Sequence, residues 1–315
     1  MKYAWLGKTG IQVSRICFGT LTAGPLQANL TLEEGATLMA EAIERGINFF
    51  DTAQLYETYP YLRRAMEITG KKDIVISTKT YAYTRQLAQE ALEQARRELN
   101  RDVIDIFMLH EQESIHTLRG HREALEYFFE QKQKGVIRAV GASMHRIAAV
   151  ESALQVGLDV IHPLLNMEGL GIMDGTRAQM EQAVRQAHDR GIGVFSMKPL
   201  GGGNLFRSAE ECLQYAFSLP WVDSVALGMQ SVEELSANLE FFETGKFSPK
   251  ARAELENKVR RLHIDDWCEG CGTCVERCGQ KALFLKDGKA VCDHSRCILC
   301  GYCASTCPAW AIKVV

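Results

Sequence analysis

Eight short apolar runs alternate with longer amphipathic stretches along the first 248 residues. The runs are Ile16 to Gly19, Asn48 to Ala53, Asp73 to Thr80, Val103 to His110, Ile137 to Ser143, Val160 to Asn166, Gly193 to Lys198 and Ser224 to Met229. Each reads as a buried parallel strand. Between them, Leu32 to Arg45, Arg85 to Leu99, Leu118 to Gln133, Ala178 to Arg190 and Val232 to Phe242 place apolar residues at three- and four-residue intervals, which predicts helices. A hairpin-like segment, Leu6 to Ser14, precedes the first run. Eight such βα units close into a (β/α)8 TIM barrel. A doubly wound open sheet competes, but no G-x-G-x-x-G turn follows the first strand.

The pattern changes after residue 248. Pro249 to His263 reads as a charged linker helix, so the chain divides into a barrel (1–248), a linker (249–264) and a small α+β domain (265–315). That last part is defined by its cysteines. Cys268, Cys271, Cys274 and Cys278 follow the spacing C-x2-C-x2-C-x3-C, and Cys297, Cys300, Cys303 and Cys307 repeat it. Three thiolates on a tight loop plus one from a distant segment suit a [4Fe-4S] cube, and in the two-cluster pattern the fourth cysteine of each run serves the other cluster. Cys268, Cys271, Cys274 and Cys307 are therefore assigned to one cluster, and Cys297, Cys300, Cys303 and Cys278 to the other. Structural zinc is the competing reading, yet paired zinc knuckles need no third cysteine at the same interval. The segment resembles a bacterial two-[4Fe-4S] ferredoxin domain. Gly279 stands where that pattern has proline after the fourth cysteine, and Cys292, outside both runs, reads as a packed thiol.

Composition narrows the function classes. With 315 residues, a formal charge of −3 and charges of both signs interspersed, the chain offers no basic field for nucleic acid. No apolar run reaches membrane-spanning length, and the opening MKYAWLGKTGIQVS lacks the apolar core of a signal peptide, so a cytoplasmic protein is expected. Eight of eleven cysteines are spoken for by the clusters, which argues for a reducing interior rather than disulfides.

In such barrels chemistry gathers where strands end. Asp51 ends the second run with Tyr56 five residues on, Lys79 ends the third, and His110 ends the fourth. A Tyr hydroxyl beside an ammonium should have its phenolate favoured, easing proton transfer near neutral pH. Asp51 would orient Lys79, and His110 would bind the substrate oxygen. Here the body resembles the aldo-keto reductase family: LGKTGIQVSRICFGT, NFFDTAQLY, STKT, DIFMLH, GAS, MKPLGGG and LGMQSVEELSANL fall in family order. The resemblance implies that Asp51, Tyr56, Lys79 and His110 are the catalytic tetrad, with Tyr56 donating a proton to a carbonyl that receives hydride from a nicotinamide.

The same resemblance implies the cofactor contacts. Gly228, Met229, Gln230, Ser231, Glu234 and Asn238 match the adenosine-phosphate segment. Lys198, Leu200 and Gly201 match the loop near the pyrophosphate, and Ser143 and Asn166 complete the set. Family members carry a Ser-Asn pair after strand five, a Gln near strand six and an aromatic platform at strand seven, where this chain has Ser143-Met144, His162 and Met197. Glu234 stands where members preferring NADP(H) often carry Arg, and a carboxylate there favours NAD(H) over NADP(H). The expected protein is an oxidoreductase moving hydride between a nicotinamide and a small carbonyl or alcohol, with two [4Fe-4S] clusters as relay or appendage. The alternatives are a flavin in the barrel mouth, because hydride carries two electrons and a cluster one, or a ferredoxin-type electron carrier serving a redox protein partner.

Overall fold

The computed structural model describes residues 1–315. Eight parallel strands form a closed barrel: β3 (Ile16–Gly19), β4 (Phe49–Asp51), β5 (Val75–Thr80), β6 (Ile104–Gln112), β7 (Ile137–Met144), β8 (Val160–Pro163), β9 (Gly193–Ser196) and β10 (Ser224–Gly228), with β10 pairing back onto β3. Side chains rather than water fill it. Phe49, Ile106, Val160 and Phe195 belong to the interior cluster, and the Phe49 and Phe195 rings lie 4.9 Å apart. The hairpin of β1 (Tyr3–Trp5) and β2 (Gln12–Ser14) adds Leu6, Ile11 and Val13 to that cluster, plugging the end remote from the catalytic strand ends. Gly7 permits the plug, since its φ is +51° and a Cβ there would lie 2.3 Å from Gly193 N. A second cluster of 60 buried residues cements the helices onto the barrel's outer face.

The helices form where the apolar periodicity placed them, with instructive exceptions. Leu32–Glu44 starts at a capping box, Thr31 and Glu34 satisfying each other's backbone N–H groups. The stretch Leu118 to Gln133, read as one helix, is interrupted at His121 between Ile115–Gly120 and Arg122–Gln133. Tyr59–Thr69 is helical despite Pro60, because the proline sits in the first turn, where its missing N–H costs no bond. The linker helix is shorter than its charge pattern indicated: it covers Pro249–Glu256, and the chain then extends into β11 (Leu262–Ile264).

β11 pairs antiparallel with β14 (Ile312–Val314), while β12 (Leu283–Lys286) pairs with β13 (Lys289–Cys292). Their core of ten buried residues includes Cys274, Cys303 and Cys307. This module sits on the barrel mouth. Trp310 packs with Leu164 and Met197, Val314 N–H donates to the Gly202 carbonyl at 3.0 Å, and Arg207 donates to the carbonyls of Ile298 and Leu299. Gly203, at φ +81°, lies so close that a Cβ would fall 2.0 Å from the Val314 oxygen.

Candidate active site and cluster cavities

The four candidate catalytic side chains meet at the mouth end of the barrel. Parallel register aligns Asp51 with Ser77 and Lys79 with Met108, so β4, β5 and β6 deliver Asp51, Lys79 and His110 to neighbouring ends. Lys79 Nζ donates to both Asp51 oxygens at 2.8 Å and to the Thr52 carbonyl at 2.7 Å, and Lys79 is 1% exposed. Its ammonium lies 4.9 Å from the Tyr56 ring centroid. The Tyr56 hydroxyl is 3.4 Å from His110 Nε2. Tyr81 covers the imidazole, its ring stacked on His110 at 4.5 Å and its hydroxyl donating to Glu111.

The electrostatics depart from the expectation that Lys79 favours a Tyr56 phenolate. Burial raises the Tyr56 pKa well above the usual phenol range, and Asp51 and Glu111 raise it further. Burial is the main cause, and pairing removes the counterweight: Asp51 takes two of the lysine's hydrogen bonds, so Tyr56 faces an ion pair rather than a bare cation. Burial opposes ionisation of Asp51 itself, but Lys79 and His162 outweigh it and hold the carboxyl at about 2. The hydroxyl is thus kept protonated, which suits a proton donor.

Burial also lowers the pKa of His110, with Lys79 adding to it, and that of His145, with Lys198 adding to it, both to well below the ordinary imidazole value. Both rings stay neutral in the fold and gain protons on unfolding below about pH 6.5. The unfolded chain then binds more protons, so stability falls as pH drops through that value, each group contributing a slope of at most about 1.4 kcal/mol per pH unit. A thermal midpoint recorded from pH 7.5 to 5 should decline, and His145→Gln should make the decline shallower. A pH-independent midpoint would show that the rings are not held neutral.

From Asp51 and Tyr56 a channel runs past Lys198 and Leu200 to Gly228, Gln230, Glu234 and Asn238. These six of the proposed cofactor residues share one cavity wall with Asp51 and Tyr56. Others turn elsewhere. Ser143 Oγ accepts from Glu111 N–H, Asn166 exchanges two hydrogen bonds with the Leu170 backbone, Gly201 lies under Leu170 and Leu205, Met229 is fully buried, and Ser231 caps the helix Val232–Thr244. His162 lies beside Asp51, its Nε2 3.5 Å from Oδ2, and stacks on Phe195 at 3.9 Å. Met197 is packed under Trp310 and offers no aromatic platform.

The channel also contains residues that the linear sequence did not nominate. Lys258, Arg260, Lys313 and Val314 line it, contributed by the linker and by β14. Glu234 accepts from Gln230 N–H at 2.7 Å and pairs with Lys258, so the carboxylate expected to repel a phosphate is largely neutralised. Lys198 Nζ bonds His145 Nε2 at 2.9 Å, and burial together with Lys313 brings its pKa down to about 7. No signal in the linear pattern marks a linker cation as a channel residue, because only the closure of β11 on β14 returns it to the barrel.

The module holds two small cavities. One is lined by Cys268, Cys271, Cys274 and Cys307, the other by Cys278, Cys297, Cys300 and Cys303. Each thus gathers three cysteines of one run and the last of the other. Backbone N–H groups of Ala290, Ala311 and Ala282 donate to the sulfurs of Cys268, Cys307 and Cys278 at 3.3–3.5 Å. Four sulfurs around a cavity, with amides aimed at them, fit a thiolate-held iron–sulfur cluster. Cys292 ends β13 and lines neither cavity.

The sequence profile of the Aldo/keto reductase family matches residues 15–211, and that of the 4Fe-4S binding domain matches 293–313. An uncharacterized oxidoreductase of Bacillus subtilis, YrpG, is 27% identical over 235 residues, covering 65% of this chain and 68% of its own. An uncharacterized ferredoxin of Methanocaldococcus jannaschii, MJ0155, is 43% identical over 62 residues, 19% of this chain and 41% of its own. Among solved structures, the holo form of an aldo-keto reductase from Bacillus halodurans superposes with a TM-score of 0.65 at 23% identity, covering 81% of this chain and 95% of that one, a likeness of fold. No helix here is long and apolar enough to cross a membrane.

Proposed function

Because the chain belongs to the Aldo/keto reductase family and carries a 4Fe-4S binding domain, we propose that it is an oxidoreductase reducing a small carbonyl compound, or oxidising the matching alcohol, with a nicotinamide dinucleotide. The observation that carries this reading is the Lys79–Asp51 pair beneath the Tyr56 and His110 rings, at the deep end of a channel rich in cations. The nicotinamide, when bound, supplies or receives the hydride. This chain's residues do the rest. Tyr56 gives its proton to the carbonyl oxygen, and the Lys79 ammonium, 4.9 Å from the ring and paired with Asp51, offsets only part of the charge left on the phenolate. Neutral His110 orients that oxygen beside the Tyr56 hydroxyl, and Tyr81 limits the access of water. Lys198, Gln230 and Asn238 would hold the dinucleotide along the channel, and the eight paired-run cysteines would hold two [4Fe-4S] clusters.

A flavin-binding mouth is the second reading. Met197 under Trp310 favours it, because the ring face expected beside a nicotinamide is missing. Anaerobic titration of the cluster-loaded protein with NADH, NADPH and FMN separates the two. The expected result is saturable binding of a nicotinamide, with oxidation of the bound cofactor by members of a carbonyl panel. Tight FMN binding with no response to either nicotinamide overturns the first reading and supports the second.

A further inference from the structure

Two cations lining the channel meet no carboxylate. Lys198, at the barrel end of β9 and in a left-handed backbone conformation with φ +58°, has His145 Nε2 as its side-chain partner. Arg260, in the linker just before β11, lies 4.8 Å over the Phe206 ring and spends one nitrogen on the carbonyls of Leu255 and Lys258. The carboxylates that share the wall are already engaged, Asp51 by Lys79 and Glu234 by Lys258. Lys313 adds a third cation, its stem lying against Gly202 and its ammonium paired with Asp265 at 3.4 Å. The wall therefore gathers two basic side chains with no carboxylate partner, and an anion there would relieve Arg260 and favour the protonated form of Lys198, since partly buried charges without partners are costly.

These charges come from two modules. Lys198 belongs to the barrel, whereas Arg260 and Lys313 belong to the linker and the strand that closes the cluster module. Gly202, whose carbonyl receives Val314 N–H, lies at the seam. We infer that Lys198 and Arg260 grip the diphosphate of a dinucleotide across this seam, so that the cluster module completes the nucleotide site. The inference rests on the nicotinamide reading, which already gives Lys198 to the dinucleotide, and adds Arg260, a residue from outside the barrel, as the second half of the diphosphate grip. Arginine suits the role because its planar fork matches two phosphate oxygens at once, which a lysine at the same place does not.

The test is calorimetry on the cluster-loaded full chain, under anaerobic conditions, with ADP-ribose as the diphosphate probe and adenosine as the probe lacking it. Arg260→Gln and Lys198→Gln should each weaken ADP-ribose by about tenfold or more and leave adenosine unchanged, with Arg260→Lys falling between. Wild-type affinity for ADP-ribose in Arg260→Gln at full iron content overturns the inference. Should that variant lose iron, Arg260→Lys and Lys198→Gln decide, and unchanged affinity in both overturns it. The parent reading fails separately. Arg260-dependent ADP-ribose binding without any hydride exchange from NADH or NADPH keeps the clamp and removes the nicotinamide, whereas NADH turnover with Arg260-independent binding does the reverse.

Discussion

Replacing Tyr56 by phenylalanine is expected to lower kcat for carbonyl reduction by about 10²–10⁴-fold, the range for loss of a positioned proton donor. The change is narrow. Phenylalanine keeps the ring that lies over the Lys79 ammonium and deletes only the hydroxyl beside His110 Nε2. Substrate KM should therefore move little, because the lost interaction acts mainly on the transition state. Iron content and the visible cluster spectrum should match the parent protein, since Tyr56 lines the barrel channel and neither cysteine cavity. Turnover within tenfold of the parent would move the proton donor elsewhere, with Tyr81 the first residue to examine.

Paired cysteine replacements should give the other large effect. Cys271→Ala with Cys307→Ala disables one cavity twice, whereas Cys271→Ala with Cys278→Ala disables both once. Iron analysis after anaerobic reconstitution is expected to find roughly four irons per chain in the first protein and nearly none in the second. Consecutive wiring, with each run serving its own cluster, predicts the opposite order. The second protein should also lose its module's fold. Three of the ten buried core residues there are cysteines, and a module of about 50 residues has little other core to replace the metal's contribution.

The barrel was legible because buried parallel strands read as short, mostly apolar runs, and Asp51, Lys79 and His110 were legible because each lies at or near the end of such a run. Adjacency along the chain carried the information. It failed wherever a residue acts across the fold. Arg260 and Lys258 look like ordinary linker charges until β11 pairs with β14 and draws them to the channel. Ser143 and Asn166 stand at plausible positions, but backbone partners at Glu111 and Leu170 claim their side chains. The ionisation of Tyr56 was misjudged for a related reason. The lysine and its Asp51 partner are visible in the sequence, while the burial that holds the Tyr56 hydroxyl protonated exists only in the closed fold. Nothing in the linear pattern marks Trp310 as the wedge against Met197.

The contact between Gly203 and Val314 joins the fates of the two modules. Iron–sulfur clusters are degraded by air, and a module held together by its clusters loosens when they go. Here that loosening would not stop at the module. Val314 N–H is bound to Gly202, and Arg260, Lys313 and Val314 form one wall of the barrel's channel, so the damaged module takes that wall with it. Cluster loss in air would therefore act on architecture: it would loosen one wall of a channel in a domain that contains no candidate iron ligand.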